Sequence, residues 1–279
     1  MDLPAYRERS HATWETMAPS WFRRREWMWD VMQPVSERLV EKLDPQPGQT
    51  ILELAAGVGD TGFAAAPRLG EDGKLISTDF APQMVEAARE RAAELGLANV
   101  EHRVMDAERM DLPDDSVDGV LCRFGYMAVA DPALAFAETR RVLRPGGRLC
   151  FAVWGPPERN PWAAIPGGTL IERGHMPRPQ PGDPGIFSLA SADRIEELVT
   201  GAGFEAPEIA EVDFSWRFAQ FDDYWGFLNE LAGGTAIVIR GLDDDERGAV
   251  KDVILERATS CEAEGGYAMP AVALNVTTS

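Results

Sequence analysis

Three short segments carry residue types that could bind a nucleotide. The first is Ile51-Leu52-Glu53-Leu54-Ala55-Ala56-Gly57-Val58-Gly59-Asp60, an apolar run that reaches a carboxylate and then a loop with two glycines. Glycine accepts positive φ and lets a backbone approach a ligand closely. Such a loop suits binding through its N–H groups, although a tight strand-to-helix turn asks for glycine on packing grounds alone. The second is Asp79, twenty positions after Gly59 at the end of the next apolar run. A carboxylate there can accept both hydroxyl protons of a ribose; its other reading is a cap for the helix that Pro82 opens. The third is Asp106-Ala107. A carboxylate beside a free backbone N–H can accept from the amino group of adenine and donate to a ring nitrogen, and a plain surface turn is the alternative.

The elements that must position these residues follow a regular rhythm. Up to about Leu43 the pattern is helical, and Asp44-Pro45 and Pro47-Gly48 then punctuate the chain. Strands are expected at Thr50 to Leu54, Lys74 to Thr78, Asn99 to Met105, Gly119 to Arg123 and Arg148 to Trp154. Helices are expected from Thr61, over Pro82 to Leu95 and over Pro132 to Leu143, the last stopped by Pro145-Gly146-Gly147. Pro67 falls within the helix expected from Thr61, where it removes a hydrogen bond unless the helix ends or kinks there. Beyond Trp154 the segment Gly155 to Gly185 is rich in Pro and Gly. A helix (Ser191 to Ala202), a strand (about Glu208 to Phe218), an Asp-rich helical stretch and a last strand (Tyr267 to Val276) follow. Strand–helix alternation of this kind implies an α/β fold with a mostly parallel sheet, covered by helices on both faces. The expected organisation is a helical cap (1–47), a Rossmann-like core (48–154), a lid insertion (155–190) and a C-terminal part (191–279) that completes a seven-stranded sheet, all in one structural domain.

The three motifs in series resemble the nucleotide-binding half of class I S-adenosylmethionine-dependent methyltransferases, closest to the ubiquinone/menaquinone-biosynthesis type. The resemblance is densest from Gly48 to Trp154, through "ILELAAGVGDTG", "STDFAPQMVEAARERA", "VMDAERMDLPDDSVDGVLCRFGYM" and "ETRRVLRPGGRLCFAVWG". It implies S-adenosylmethionine as cofactor and roles for individual residues. Ala55, Gly57 and Gly59 would form the loop under the methionine part, and Glu53 would help hold its amino group. Asp79 would take the ribose, with Phe80 and Met84 packed on the adenine unless they are plain helix–sheet core. Asp106 and Ala107 would read the adenine edge, and Cys122 and Arg123 would lie beside the methionine and the sulfonium. One departure is Val58, where relatives often carry Thr between the glycines; a loop that binds through its backbone tolerates it.

For methyl transfer the protein mainly supplies alignment and a dry site, and a base helps only if the acceptor must first lose a proton. Candidate bases are His11, Tyr126 and His175. Trp14, Trp21, Met127 and Trp154 are the candidate acceptor pocket, although aromatics at helical spacing are commonly core. Two rival functions remain: a module that binds the cofactor without turnover, and a nicotinamide-dependent oxidoreductase. The second wants Gly-x-Gly-x-x-Gly, and Ala55 replaces the first glycine here.

Composition narrows the partners. The net charge is −19, and from Asp183 to Glu264 acidic residues outnumber basic ones 19 to 6. Nucleic-acid affinity comes largely from Lys and Arg displacing counterions, so the expected partner is a small-molecule acceptor, with no nucleic acid. No apolar run approaches the ~20 residues of a membrane span. Met1 to Asp30 mixes Arg, Glu and Trp and lacks the apolar stretch of a signal peptide. Cys122, Cys150 and Cys261 are too few and too scattered for disulfides or a zinc site, so no metal is expected. The expectation is a cytoplasmic monomer or homodimer.

Overall fold

A computed structural model describes residues 2–279. Two helices, α1 (Leu3–Arg23) and α2 (Arg25–Leu43), precede the sheet. Then come β1 (Thr50–Glu53), α3 (Asp60–Ala65), β2 (Lys74–Asp79), α4 (Pro82–Glu94), β3 (Val100–Val104), β4 (Val117–Arg123), α5 (Pro132–Val142) and β5 (Leu143–Trp154). The second half holds α6 (Pro161–Glu172), α7 (Ala192–Gly201), β6 (Glu208–Phe218), α8 (Phe221–Glu230), α9 (Gly234–Gly241), α10 (Asp244–Ala258), β7 (Glu262–Ala263) and β8 (Gly266–Thr278). The main sheet runs β3-β2-β1-β4-β5-β8-β6, with the short β7 paired to β8. The first five of these strands are parallel, and β8 enters antiparallel to both β5 and β6.

This order places the site. From β1 the chain winds outward through β2 to β3, then returns so that β4 lies on the other side of β1. The loops leaving the carboxyl ends of β1 and β4 therefore diverge and open a crevice, the usual ligand position in open α/β sheets. Glycine at 125 lets the two loops meet, because a Cβ there would lie 2.7 Å from that of Ala55 and 2.6 Å from the Cys122 sulfur.

One face of the sheet is covered by α2, α3 and α4, with Val35, Leu39, Val40 and Leu43 packed on Ile51, Leu121 and Ala152. So α2 is a layer of the core, and of the expected N-terminal cap only α1 is free to lie over the crevice. Asp2 caps α1 by accepting from the Ala5 N–H at 3.2 Å. The Pro67 question has a local answer: α3 stops at Ala65, and Ala66–Leu69 tightens into a 3₁₀ turn with Pro67 near its start, where the missing N–H leaves no partner unsatisfied. The expected insertion 155–190 is partly built into the core. Within it α6 buries Trp162 and Leu170, and Asn160, fully buried, bonds the backbone of Gly155 and Val272. Among the described residues no helix is long and apolar enough to cross a membrane.

Candidate functional site

The loop after β1 turns sharply upward, with φ of +50° at Ala55, +56° at Gly57 and +90° at Gly59. Ala56 N–H is held by the Thr78 carbonyl at 2.9 Å. A Cβ at Gly57 would meet no atom within 4 Å, so the backbone there borders open space. At Gly59 a Cβ would collide with the Phe63 ring at 2.3 Å. That glycine starts α3 and shapes the loop; it does not border the recess.

The recess lies between this loop, the ends of β2 and β4, the Asp106–Glu108 turn and α1. The space between these walls, open solvent at the mouth included, is about 1070 Å³. Glu53, Ala55, Gly57, Asp79, Phe80, Met84, Asp106, Ala107 and Arg123, all singled out from the sequence, share its wall. So do Trp14 and Trp21 from α1, whose rings meet edge to face at 5.6 Å. The donor set fits S-adenosylmethionine: exposed loop backbone, a carboxylate at the end of β2, and a carboxylate next to a backbone N–H at the turn.

Two carboxylates here are strained electrostatically. Asp79, 6% exposed, accepts from the N–H groups of Gly57 at 2.9 Å and Ala81 at 3.0 Å. Burial still pushes its pKa up to about 6, against the pull of those donors. Glu53, 2% exposed, accepts from Gly62 N–H at 2.7 Å and Ser77 Oγ at 3.3 Å. Burial raises it to about 7, with the Gly62 donor and the Arg123 charge opposing. Because folding raises both values, the folded chain holds these protons more tightly; stability is full below the ordinary carboxylate pKa near 4 and is lost as pH rises from there through 6 and 7. For a ligand that needs both groups ionised the sign reverses. Affinity for S-adenosylhomocysteine should fall at least ~10-fold from pH 7.5 to 5.5, with protons released on binding near pH 6.5. Calorimetry in buffers of different ionisation enthalpy measures both, and a pH-independent affinity would count against the assignment of these carboxylates.

Arg123 belongs to a buried network that the sequence did not announce. Asp60, its side chain fully buried, takes Arg123 Nη2 at 2.7 Å and a closer contact from Arg91. Burial alone would raise its pKa, but the two guanidinium groups hold it below the ordinary carboxylate value. Arg123 also donates to Ser36 Oγ at 2.9 Å, and Ser36 pairs with Thr61 at 2.9 Å. The network ties α2, α3, α4 and β4 together directly behind the recess.

Several expected site residues lie elsewhere. Tyr126 is core: it is 1% exposed, stacks on Phe136 at 4.2 Å and bonds Thr139 at 2.6 Å. Burial raises its pKa well above the usual phenol value, which removes it as a base. His175 faces Glu246 of α10 at 2.8 Å and does not border the recess. His11 also stays out of the wall, standing edge-on to Phe80 at 5.5 Å. Cys122 points into the core beneath Gly125, its thiol pushed up to about 12 by burial. Met127 is buried outside the wall. Trp154 stands one layer back, stacked at 4.0 Å on Phe124, and it is Phe124 that borders the recess.

Other wall residues were missed. Phe124 holds φ at +63°, a conformation uncommon for a bulky residue and typical of functional loops. Tyr6, Arg7 and Ser10 reach the wall from α1, and Glu108 from the turn after β3. Glu108 follows the Asp106-Ala107 pair by one residue and could have been read with it. No local signal points to the α1 residues.

Comparison with known proteins points to the methyltransferases. A family model described as a methyltransferase domain matches residues 45–156. Nocamycin O-methyltransferase from Saccharothrix syringae is 34% identical over 246 residues, covering 85% of this chain and 87% of that protein. Arsenite methyltransferase from Halobacterium salinarum is 30% identical over 62% of this chain and 41% of its own length. Against several other curated relatives the matching part likewise spans about half of their length. Among solved structures, the YcgJ protein of Bacillus subtilis superposes with a TM-score of 0.60 at 19% identity, over 88% of this chain and 97% of that one, a likeness of fold.

Proposed function

The chain belongs to the class I S-adenosylmethionine-dependent methyltransferases, and on that premise we propose that it methylates a small, uncharged acceptor with an apolar body, held in the recess beneath α1. S-adenosylmethionine supplies, when bound, an electrophilic methyl group on a sulfonium. Ala55 to Gly57, Glu53, Asp79, Phe80, Met84, Asp106 and Ala107 are the residues assigned to hold it. The chain's further task is to align the acceptor and keep water out, which together can contribute up to ~7–11 kcal/mol in favourable cases.

The charge inventory of the wall supports the acceptor class. Arg7 and Arg123 are its cations, and each is ion-paired, with Glu108 and Asp60 respectively. Among the described residues no lysine or histidine borders the recess. The four wall carboxylates Glu53, Asp79, Asp106 and Glu108 each accept a backbone N–H. Apart from the sulfonium itself, an anionic acceptor would lose its water without finding an unpaired cation in the wall. Trp14, Trp21, Phe124 and Val129 offer apolar surface instead.

Glu53, Asp79 and Asp106 are assigned to the cofactor and Glu108 is held by Arg7, which leaves no wall carboxylate as a base for the acceptor. Tyr6 donates its hydroxyl to the Ala128 carbonyl at 3.0 Å, and burial pushes its pKa up to about 12. The acceptor atom must therefore present a free lone pair on arrival or release its proton to solvent at the mouth of the recess, and the pH–rate profile should follow the pKa of the acceptor itself. A panel of phenols, quinols, amines and carboxylic acids, read by mass for products heavier by one CH₂, tests the proposal. Methylated phenols, quinols or neutral amines are expected, with rates whose pH dependence shifts from one acceptor to the next. Methylation of carboxylates alone would contradict it. The three cysteines are buried free thiols, which accords with a cytoplasmic setting, and the strongly acidic chain makes nucleic acid a poor partner.

A further inference from the structure

We infer that Glu108 is a positioning residue that makes closure of α1 and ordering of the turn at Asp106-Ala107 a single event. The inference rests on the reading of that turn as the place where the adenine edge is held. Glu108 has a side chain only 5% exposed, and it is the meeting point of three pieces of the recess wall. Oε2 takes the Arg7 guanidinium of α1, with Nε at 2.9 Å and Nη2 in closer contact. Oε1 accepts from the N–H groups of Ala130 at 2.7 Å and Asp131 at 3.2 Å, fixing the loop between β4 and α5. The Glu108 N–H donates to Asp106 Oδ1 at 2.9 Å and closes the turn itself.

The other contacts of α1 show what Arg7 secures. Tyr6 holds the carbonyl of Ala128 on the same loop, and Glu15 accepts from Gln83 N–H at 2.9 Å at the start of α4. Between these two anchors α1 lays Ser10 and Trp14 over the recess. Lifting α1 uncovers a ligand beneath them, and it also pulls Arg7 from Glu108. The buried carboxylate would then keep only its two backbone donors, close to the further negative charges of Asp106 and Asp131, both of which act on Arg7. A buried charge stripped of its partner is costly, so the turn and the loop must rearrange when α1 opens. Conversely, a ligand that fixes the turn favours closed α1, because coupling between two sites is reciprocal.

The test uses the full chain and S-adenosylhomocysteine. Hydrogen exchange of the amides in Leu3–Arg23 is measured with and without it, and its dissociation is followed by tryptophan fluorescence, since Trp14 and Trp21 line the recess. In the native chain the ligand should slow exchange across α1. Arg7→Met, on the half-exposed side of the pair, should remove that protection and speed dissociation by about tenfold, a usual size for coupling between sites. Arg7→Lys should restore part of both effects. Glu108→Gln should match Arg7→Met, and the double variant should add little. A merely structural pair would lower thermal stability alike with and without ligand, and would leave protection of α1 intact. Retained protection with unchanged dissociation in Arg7→Met overturns the inference even if Glu108→Gln fails to fold. A native chain that does not bind S-adenosylhomocysteine would instead overturn the cofactor assignment on which it rests.

Discussion

Asp79→Ala should weaken binding of S-adenosylhomocysteine by at least ~10-fold while the chain still folds. The carboxylate sits at the recess wall with one oxygen on Gly57 N–H and the other on Ala81 N–H. Each oxygen keeps a further lone pair, enough to receive the two hydroxyl protons of a ribose. Hydrogen bonds to a charged group contribute ~1.5–3 kcal/mol each, and ~1.4 kcal/mol is a factor of ten in affinity, so loss of even one reaches the stated threshold. Folding should survive because two effects oppose each other. Alanine leaves the Gly57 and Ala81 donors unpaired, but it also removes a carboxylate that burial disfavours in its ionised form at neutral pH. Asp79→Asn separates the contributions, since the amide keeps one acceptor oxygen and loses the charge. Calorimetric titration of both variants, with circular dichroism to check folding, measures the effect. An unchanged dissociation constant in Asp79→Ala would remove Asp79 from the site.

The second large effect concerns stability. Asp60→Ala should cost about 3–5 kcal/mol, the usual penalty when one partner of a buried ion pair is deleted. The substitution leaves Arg91 and Arg123, with side chains 12% and 8% exposed, facing each other without an anion. Asp60→Asn should recover little, because an amide oxygen offers no charge to two guanidinium groups. Urea denaturation monitored by tryptophan fluorescence gives the difference directly. A loss below ~1 kcal/mol, the range of surface pairs, would show that the network is not the joint between α2, α3, α4 and β4 described above. Cofactor binding should weaken as well, since Arg123 and Glu53 share the wall that this network supports.

The inner strands β1, β2 and β4 were legible as short, largely apolar runs, and β6, which alternates apolar and polar residues, has the expected bounds, Glu208–Phe218. The loop after β1, Asp79 and the Asp106-Ala107 turn were legible for a related reason. Their chemistry is local, a glycine or a carboxylate at a strand end. What depended on distant contacts was not. The Arg7–Glu108 pair joins residues 101 apart in sequence, and Asp60–Arg91 residues 31 apart; in the sequence, Asp60 reads as nothing more than the start of a helix. Tyr126 shows the opposite error. An aromatic hydroxyl just past β4 looked available, but the positive φ at Phe124 turns the chain so that Phe124 borders the recess while Tyr126 packs against Phe136 and Phe151. Helical periodicity likewise could not say that α2 buries its apolar side on the sheet while α1 lies over the crevice, because both helices carry bulky aromatic residues.

The central claim is that the recess between the β1 and β4 loops binds S-adenosylmethionine beneath α1. The most direct measurement is a titration of the full chain with S-adenosylhomocysteine and, separately, with NADH, following heat and tryptophan fluorescence together. One S-adenosylhomocysteine per chain, with a change in emission from Trp14 and Trp21 and no heat from NADH, is the predicted result. Binding of NADH with none of S-adenosylhomocysteine would contradict the account.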